Sequence, residues 1–193
     1  VKKYDKKHIR LRVVTSADLD NIKLIRKFSE WRHKNSFWFP AQFKVTSKRT
    51  RRWLKDFVLD KPDRILFVIE DSSRNLYGHL GLYRYRKHDN SCELDNVVRG
   101  VDAFPGLMTD CVNVIIGWCF KNLKIDHLFL TTFDDNIKAV NLYKRCNFKK
   151  TRKIPLKHVN HNGELHWELI STKEKVKPQR YYLRMKLARP STY

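Results

Sequence analysis

The chain has little with which to build a cross-linked or metal-held fold. Its four cysteines, Cys92, Cys111, Cys119 and Cys146, form no C-x-x-C pair, and none stands at ligand spacing from a histidine. A disulfide framework and a metal site are therefore set aside, and reduced, buried thiols of a cytoplasmic protein are expected. No apolar run approaches the ~20 residues that cross a membrane; the best stretch, residues 112–120, is interrupted by Asn113. The charged N-terminal region lacks the apolar core of a signal peptide. No internal repeat, low-complexity tail, recognition-helix signature or RNA-recognition motif is present. Acidic residues are scarce, 20 against 41 lysines and arginines, which leaves a net charge of +21. Such an excess favours anionic partners. Its densest runs lie within residues 2–12, 48–55, 144–157 and 173–186. With 193 residues and 41% apolar content, one domain over residues 1–193 with a core of ordinary size is expected.

What is present is periodicity that switches between two and three-to-four residues. Ile9, Leu11 and Val13 alternate as in a strand. Thr15, Ser16 and Asp18 offer caps for a helix striped by Leu19, Ile22 and Ile25. Residues 31–43 are aromatic and irregular, broken by Pro40, and Thr46 or Ser47 opens a second helix carrying Trp53, Leu54, Phe57 and Val58. Strands follow at 65–70, 76–86 and 92–98. A helix over 106–123 shows Met108, Cys111, Val112, Ile115, Trp118 and Cys119 on one stripe. A strand at 127–133 precedes a helix that begins at Asp134 or Asp135 and runs to Arg145. Residues 148–159 and 164–170 flank the Asn162-Gly163 turn of a hairpin, and 181–187 is a last strand. This order predicts a mixed α/β domain around one twisted sheet.

Two blocks carry more than periodicity. Glu93-Leu94-Asp95-Asn96-Val97-Val98-Arg99-Gly100, then Pro105-Gly106-Leu107-Met108-Thr109 and the long helix, resembles the acyl-CoA-binding strand, loop and helix of the GNAT N-acetyltransferases. The run from Asp135 to Phe148, with Asn136, Ala139, Leu142, Tyr143 and Phe148, is similar to the family's second signature, N-x-x-A-x-x-L-Y-x-x-x-x-F. The resemblance covers residues 9–148, with 181–187 as the closing strand. It departs from the family in the loop, which is longer and offers only Gly100 and Gly106. It implies a mostly antiparallel twisted sheet flanked by helices, to which an extra C-terminal hairpin at about 151–177 is added. It also implies acetyl-CoA as co-substrate and no metal.

The cofactor residues implied are Val97, Val98, Arg99, Gly100, Gly106, Leu107, Met108 and Thr109. A helix N-terminus presents unpaired N–H groups and partial positive charge to a pyrophosphate. Gly106 has no Cβ to block approach, and Pro105 costs little there. By the same resemblance Asn136 lies on the pantetheine arm and Tyr143 beside the sulfur, as general acid toward the departing thiolate. The attacking amine must be neutral, so a base is needed. Glu93 and Asp95, two apart on a strand, share a face and are the candidates; His79 and His127 are alternatives, and a carboxylate that merely holds an arginine or the cationic substrate is another reading.

For the acceptor, Phe28-Ser29-Glu30-Trp31-Arg32, followed by the aromatic stretch and the Thr46-led helix, is similar to family members that acetylate nucleotide-linked amino sugars. A small-molecule amine of that kind carries a diphosphate that needs basic partners. Trp31, Arg32, Lys157 and Trp167 are its expected contacts. Protein N-termini, lysines and aminoacyl-tRNA compete, and polyamines are least compatible with a charge of +21. Two readings of another class stand beside these. One is a nucleic-acid-binding protein using Arg49, Arg51, Arg52 and Trp53, or Arg180, Tyr181, Tyr182 and Arg184. The other is a non-catalytic acyl-CoA-binding domain.

Overall fold

Alternating apolar positions and capped amphipathic helices assemble, in the computed structural model, into one sheet with helices on both faces. The structure describes residues 3, 4 and 7–191; Val1, Lys2, Asp5, Lys6, Thr192 and Tyr193, which belong to the expected 1–193 domain and its first basic run, lie outside the described residues. In chain order the elements are β1 (Lys3–Tyr4), β2 (Lys7–Val13), α1 (Ile22–Lys34), β3 (Ala41–Gln42), α2 (Ser47–Leu54), β4 (Ile65–Asp71), β5 (Leu76–Arg86), β6 (Ser91–Arg99), α3 (Leu107–Trp118), β7 (His127–Phe133), α4 (Ile137–Arg145), β8 (Lys149–His161), β9 (Glu164–Leu169) and β10 (Arg180–Ala188). The strand order is β1-β2-β4-β5-β6-β7-β10-β8-β9-β3. Every neighbouring pair is antiparallel except β6 and β7, which the α3 crossover makes parallel.

The helices start where the sequence supplies caps. Asn21 accepts the Leu24 amide at α1 and Thr46 the Arg49 amide at α2. Both α2 and α3 run on into single π turns, Lys55–Leu59 and Cys119–Leu123. On one face α3 and α4 cover Leu80, Leu82, Cys92, Leu94, Leu128 and Leu130. On the other, α1 and α2 cover Leu66, Val68 and Val98 with Leu24, Ile25, Phe28, Trp31 and Leu54. The four cysteines are free and buried.

The C-terminal hairpin is β8–β9, with Asn162 (φ 53°) and Gly163 (φ 82°) both left-handed at the turn. It is not a separate insertion after a short strand, because β8 runs unbroken from Lys149 and pairs with β10 before it pairs with β9. The irregular aromatic stretch supplies a 3₁₀ turn, Ser36–Trp38, and then β3, whose Ala41 pairs with His166 of β9. The hairpin's outer edge is thereby tied to the segment that follows α1.

Candidate active site

The parallel ladder between β6 and β7 has three rungs, Ser91 with His127, Cys92 with Leu128 and Glu93 with Phe129. Beyond them β6 continues to Arg99 and β7 to Phe133 without meeting again, so the sheet forks. A bulge lies on the open arm of the fork. The β5 register steps from Gly81 opposite Asp95 to His79 opposite Val98, which places an extra residue in β6, and Asn96 adopts φ 50°. The extra residue reverses the alternation of the strand. Leu94 and Val97 both pack toward α3 and α4, and Val98 packs toward α1 and α2.

Both arms lead into helices whose N-termini open beside the fork. Gly106 caps α3 at φ 82° and brings no side chain to its end. The first-turn amides there have no acceptor within the helix, a ready anion site. At α4 the Asn136 side chain accepts the Ala139 amide at 3.2 Å. Two turns on, Tyr143 is buried. Burial, with the charge of Asp95 added, raises its phenol well above the ordinary value, so it stays protonated. Asp95 is partly buried and accepts from the Asn96 side-chain amide at 2.7 Å. Burial raises its carboxyl above the ordinary range, against the lowering pull of the Asn96 amide and of Arg64. The charge of Asp95 thus reaches the protonated phenol of Tyr143.

Such a fork, with an unblocked helix start on one arm, suits a thioester flanked by acid and base. The sequence profile of the acetyltransferase (GNAT) domain matches residues 8–149. The chain belongs to the GNAT acetyltransferase family. It is 25% identical over 140 residues to the spermidine N(1)-acetyltransferase of Vibrio cholerae, which covers 72% of this chain and 78% of that protein. Its fold matches the Vibrio cholerae spermidine N-acetyltransferase solved with CoA and spermine, at a TM-score of 0.69 and 17% identity over 93% of this chain and 95% of the other. It also matches a dodecameric structure of spermidine N-acetyltransferase from that organism in an intermediate state, at 0.63 and 18% over 93% of each chain. The chain is thus an N-acetyltransferase with acetyl-CoA as donor. These relatives are spermidine enzymes and do not support the amino-sugar nucleotide suggested by residues 28–46.

Within this GNAT domain the expected site residues divide. Glu93 is 8% exposed and its Oε1 lies 3.5 Å from both Arg84 and Arg184, so it holds arginines at the closed end of the fork. Gly100 is a glycine because of packing: a Cβ there would lie 2.2 Å from the Trp31 ring. Trp31, 3% exposed, is consequently a core residue beside Phe28 and His79 rather than an acceptor contact. Val98 is buried in the same layer, and Arg99 pairs with Asp102. Lys157 and Trp167 do not act together. His158 is the residue opposite Trp167, so Lys157 projects from the other face of the hairpin, where it pairs with Glu174. His127 and His79 do not flank Asp95 and Tyr143: His127 begins β7 at the closed end, and His79 is enclosed by Phe28, Trp31 and Trp53. The stacking surface expected for nucleic acid is also partly spent, since Trp53 packs on the α1–α2 core.

Two arginines anchor the aromatic stretch that follows α1. Arg180, 7% exposed, makes three bonds of 3.0–3.1 Å to Asp135 and one to the Phe37 carbonyl, among the rings of Phe37, Trp38, Phe133 and Trp167. Arg32 stacks 3.9 Å over Phe39 and donates to the Ala41 carbonyl, but its buried Nη1 has no partner among the described residues. Burial and the nearby Arg49 push its pKa down to about 10. Trp167 Nε1 and His158 Nε2, stacked at 4.7 Å between ring centroids, are unpartnered as well. The strut formed by Arg180 and Asp135 was not legible in the sequence, because its members are 45 residues apart.

Proposed function

We propose that Tyr143 and Asp95 carry the acetyl transfer, with the α3 start holding the pyrophosphate of acetyl-CoA and Asn136 beside its pantetheine arm. The observation that carries this reading is the bulged fork, which sets a phenol held protonated and a carboxylate of raised pKa on either side of one gap. The amine gives up a proton to Asp95, directly or through water, and attacks the thioester carbon. The new C–N bond forms as the C–S bond breaks, and the Tyr143 proton goes to the departing sulfur. Asp95 fits the base role better than Glu93, whose charge is already compensated by Arg84 and Arg184.

For the acceptor, the proposal is a small primary amine that also bears negative charge, an amino-sugar nucleotide among them. Support comes from the surroundings of the fork. Arg32 lacks a carboxylate partner, Phe37 and Trp38 are exposed beside it in the chain, and Trp167 has an unpaired donor. A half-buried cation without a counter-ion is costly, and an anionic ligand would relieve it. The second reading, a polyamine, is favoured by the spermidine acetyltransferases among the relatives. It asks a polycation to approach a chain of charge +21. Thiol release from acetyl-CoA, measured with spermidine, a UDP- or dTDP-amino sugar, an amino-terminal peptide and charged tRNA, separates these readings. Turnover of the sugar nucleotide, with a Michaelis constant raised about tenfold or more by Arg32→Ala and unchanged by Lys157→Ala, is expected. Turnover of spermidine alone would replace the acceptor reading and leave the transfer chemistry in place.

A further inference from the structure

The sheet face that carries Glu93 and Asp95 is crowded with cations. Across the strands Tyr83 stands opposite Glu93, Glu93 opposite Phe129, and Phe129 opposite Lys186. Residues directly opposite share a face, so two rings flank one carboxylate. The guanidinium carbons of Arg64 and Arg84 lie 3.7 and 4.8 Å from the Tyr83 centroid. Arg184 and the Lys186 ammonium lie 4.7 and 5.6 Å from that of Phe129. Of these four cations Glu93 meets two among the described contacts, Arg84 and Arg184, both through Oε1 and both at 3.5 Å, long for a charge-assisted bond. Arg64 Nε is buried with no partner among the described residues.

Arg84 is brought to this face by strain. Alternation would send it to the face opposite Tyr83. Between Glu93 and Ser91 the β5 register steps from Tyr83 to Arg86, so two residues of β5 oppose one of β6, and Arg84 adopts φ 52°. A left-handed arginine is unfavoured. The bulge turns its guanidinium onto the Tyr83 ring and onto a carboxylate that Arg184 already reaches. Its side chain stays 52% exposed, so the cluster opens to solvent.

Asp95 follows Glu93 on the same face, roughly 7 Å further along the strand, and feels the charge of Arg64. An acceptor that presents its amine to Asp95 therefore brings whatever lies a few bonds from that amine over the cluster. A second ammonium would meet an excess of positive charge there; an oxyanion would find free donors.

We propose that Arg64, Arg84, Arg184 and Lys186 form an anion subsite beside Asp95, and that the acceptor carries a carboxylate or phosphate about three or four bonds from its reacting amine. The proposal rests on the reading that Asp95 receives the amine, and it narrows the anion-bearing amine to one spacing. A 2-amino sugar 1-phosphate has that spacing, and so does a β-amino acid.

Thiol release from acetyl-CoA with two matched pairs of amines tests this: β-alanine against β-alaninamide, and glucosamine 1-phosphate against glucosamine. In the parent the anionic member of one pair should exceed its neutral partner in kcat/KM by about tenfold or more, the scale of a hydrogen bond to a charged group. Which pair shows it tells carboxylate from phosphate. Arg64→Gln, Arg84→Gln and Arg184→Gln should each bring that ratio below about threefold, whereas a merely structural loss lowers both members alike and leaves the ratio in place. Arg84 is the most exposed of the arginines paired with Glu93, so Arg84→Gln decides should the others not fold. A ratio near one in the parent, a ratio that survives the substitutions, or turnover of spermidine to the exclusion of both pairs overturns the proposal. Asp95→Asn then tells the two failures apart. If it slows whichever amine the parent acetylates, the reading beneath stands without the subsite; if it does not, both fall.

Discussion

The two ends of β6 make the same kind of residue do different things. Glu93 and Asp95 stand two apart on one strand and share a face. At the closed end, where β6 still pairs with β7, Glu93 is sealed and balanced by two arginines. At the open end, one step past the last rung, Asp95 is partly exposed, has no arginine hydrogen bond among the described contacts and lies within electrostatic reach of Tyr143. Pairing with a neighbouring strand satisfies and immobilises Glu93, whereas burial without an arginine hydrogen bond leaves the Asp95 carboxyl with a raised pKa. The bulge, the helix starts and the unpaired phenol all gather at that second end.

The largest effect should come from the open end. Tyr143→Phe and Asp95→Asn are each expected to lower kcat by ~10²–10⁴-fold while the acetyl-CoA Michaelis constant moves little, since only proton transfer is lost. Steady-state kinetics in both substrates checks this, and unchanged turnover in either variant would remove that residue from the chemistry.

An effect of intermediate size should appear in stability. The folded pKa of His79 lies at about 4, below the ordinary value of 6.5. The folded state therefore resists protonation that the unfolded chain accepts. Stability is fully present above pH ~6.5 and falls as the pH drops toward 4, by about 3 kcal/mol for this group. Denaturant unfolding of the parent and of His79→Phe across this window reads the difference, and the variant should show a flatter profile. Parallel profiles would place the acid sensitivity elsewhere.

The smallest effect is expected at the closed end. Glu93→Gln should keep kcat within about threefold of the parent and cost on the order of 1 kcal/mol of stability, the scale of a weakened buried hydrogen bond. A loss of turnover matching Asp95→Asn would erase the contrast between the two ends.

The fold was legible in the chain because its signals are local. The alternation in β2 and β5, the stripe on α3 and the Asn162-Gly163 turn all fell within a few residues of the elements observed, whereas α4 takes its cap from Asn136 rather than from Asp134 or Asp135. The two signature blocks led to the family for the same reason, being contiguous. What the sequence hid was long-range. Glu93 reads equally as a base and as a carboxylate holding an arginine until β10 brings Arg184 across from 91 residues away. Trp31 reads as a ligand-stacking ring until it is found lying over Gly100. Lys157 and Trp167 look like partners in composition, and only the register of β8 against β9 puts them on opposite faces. The aromatic stretch showed no period because it is fixed by Arg32, Arg180 and a two-residue pairing with β9. On the acceptor, the excess of basic residues spoke for an anion, whereas the relatives are spermidine enzymes.

The three-rung fork also leaves an edge inside the sheet. Sheet edges ordinarily invite another chain to add a strand, and proteins blunt them with charge, bulges or covering elements. This inner edge is shielded differently. Layers lie on both faces of the sheet, and β6 and β7 flank the gap. On that view the domain keeps its open edge inside, where the layers on both faces lower the risk of aggregation that open edges bring.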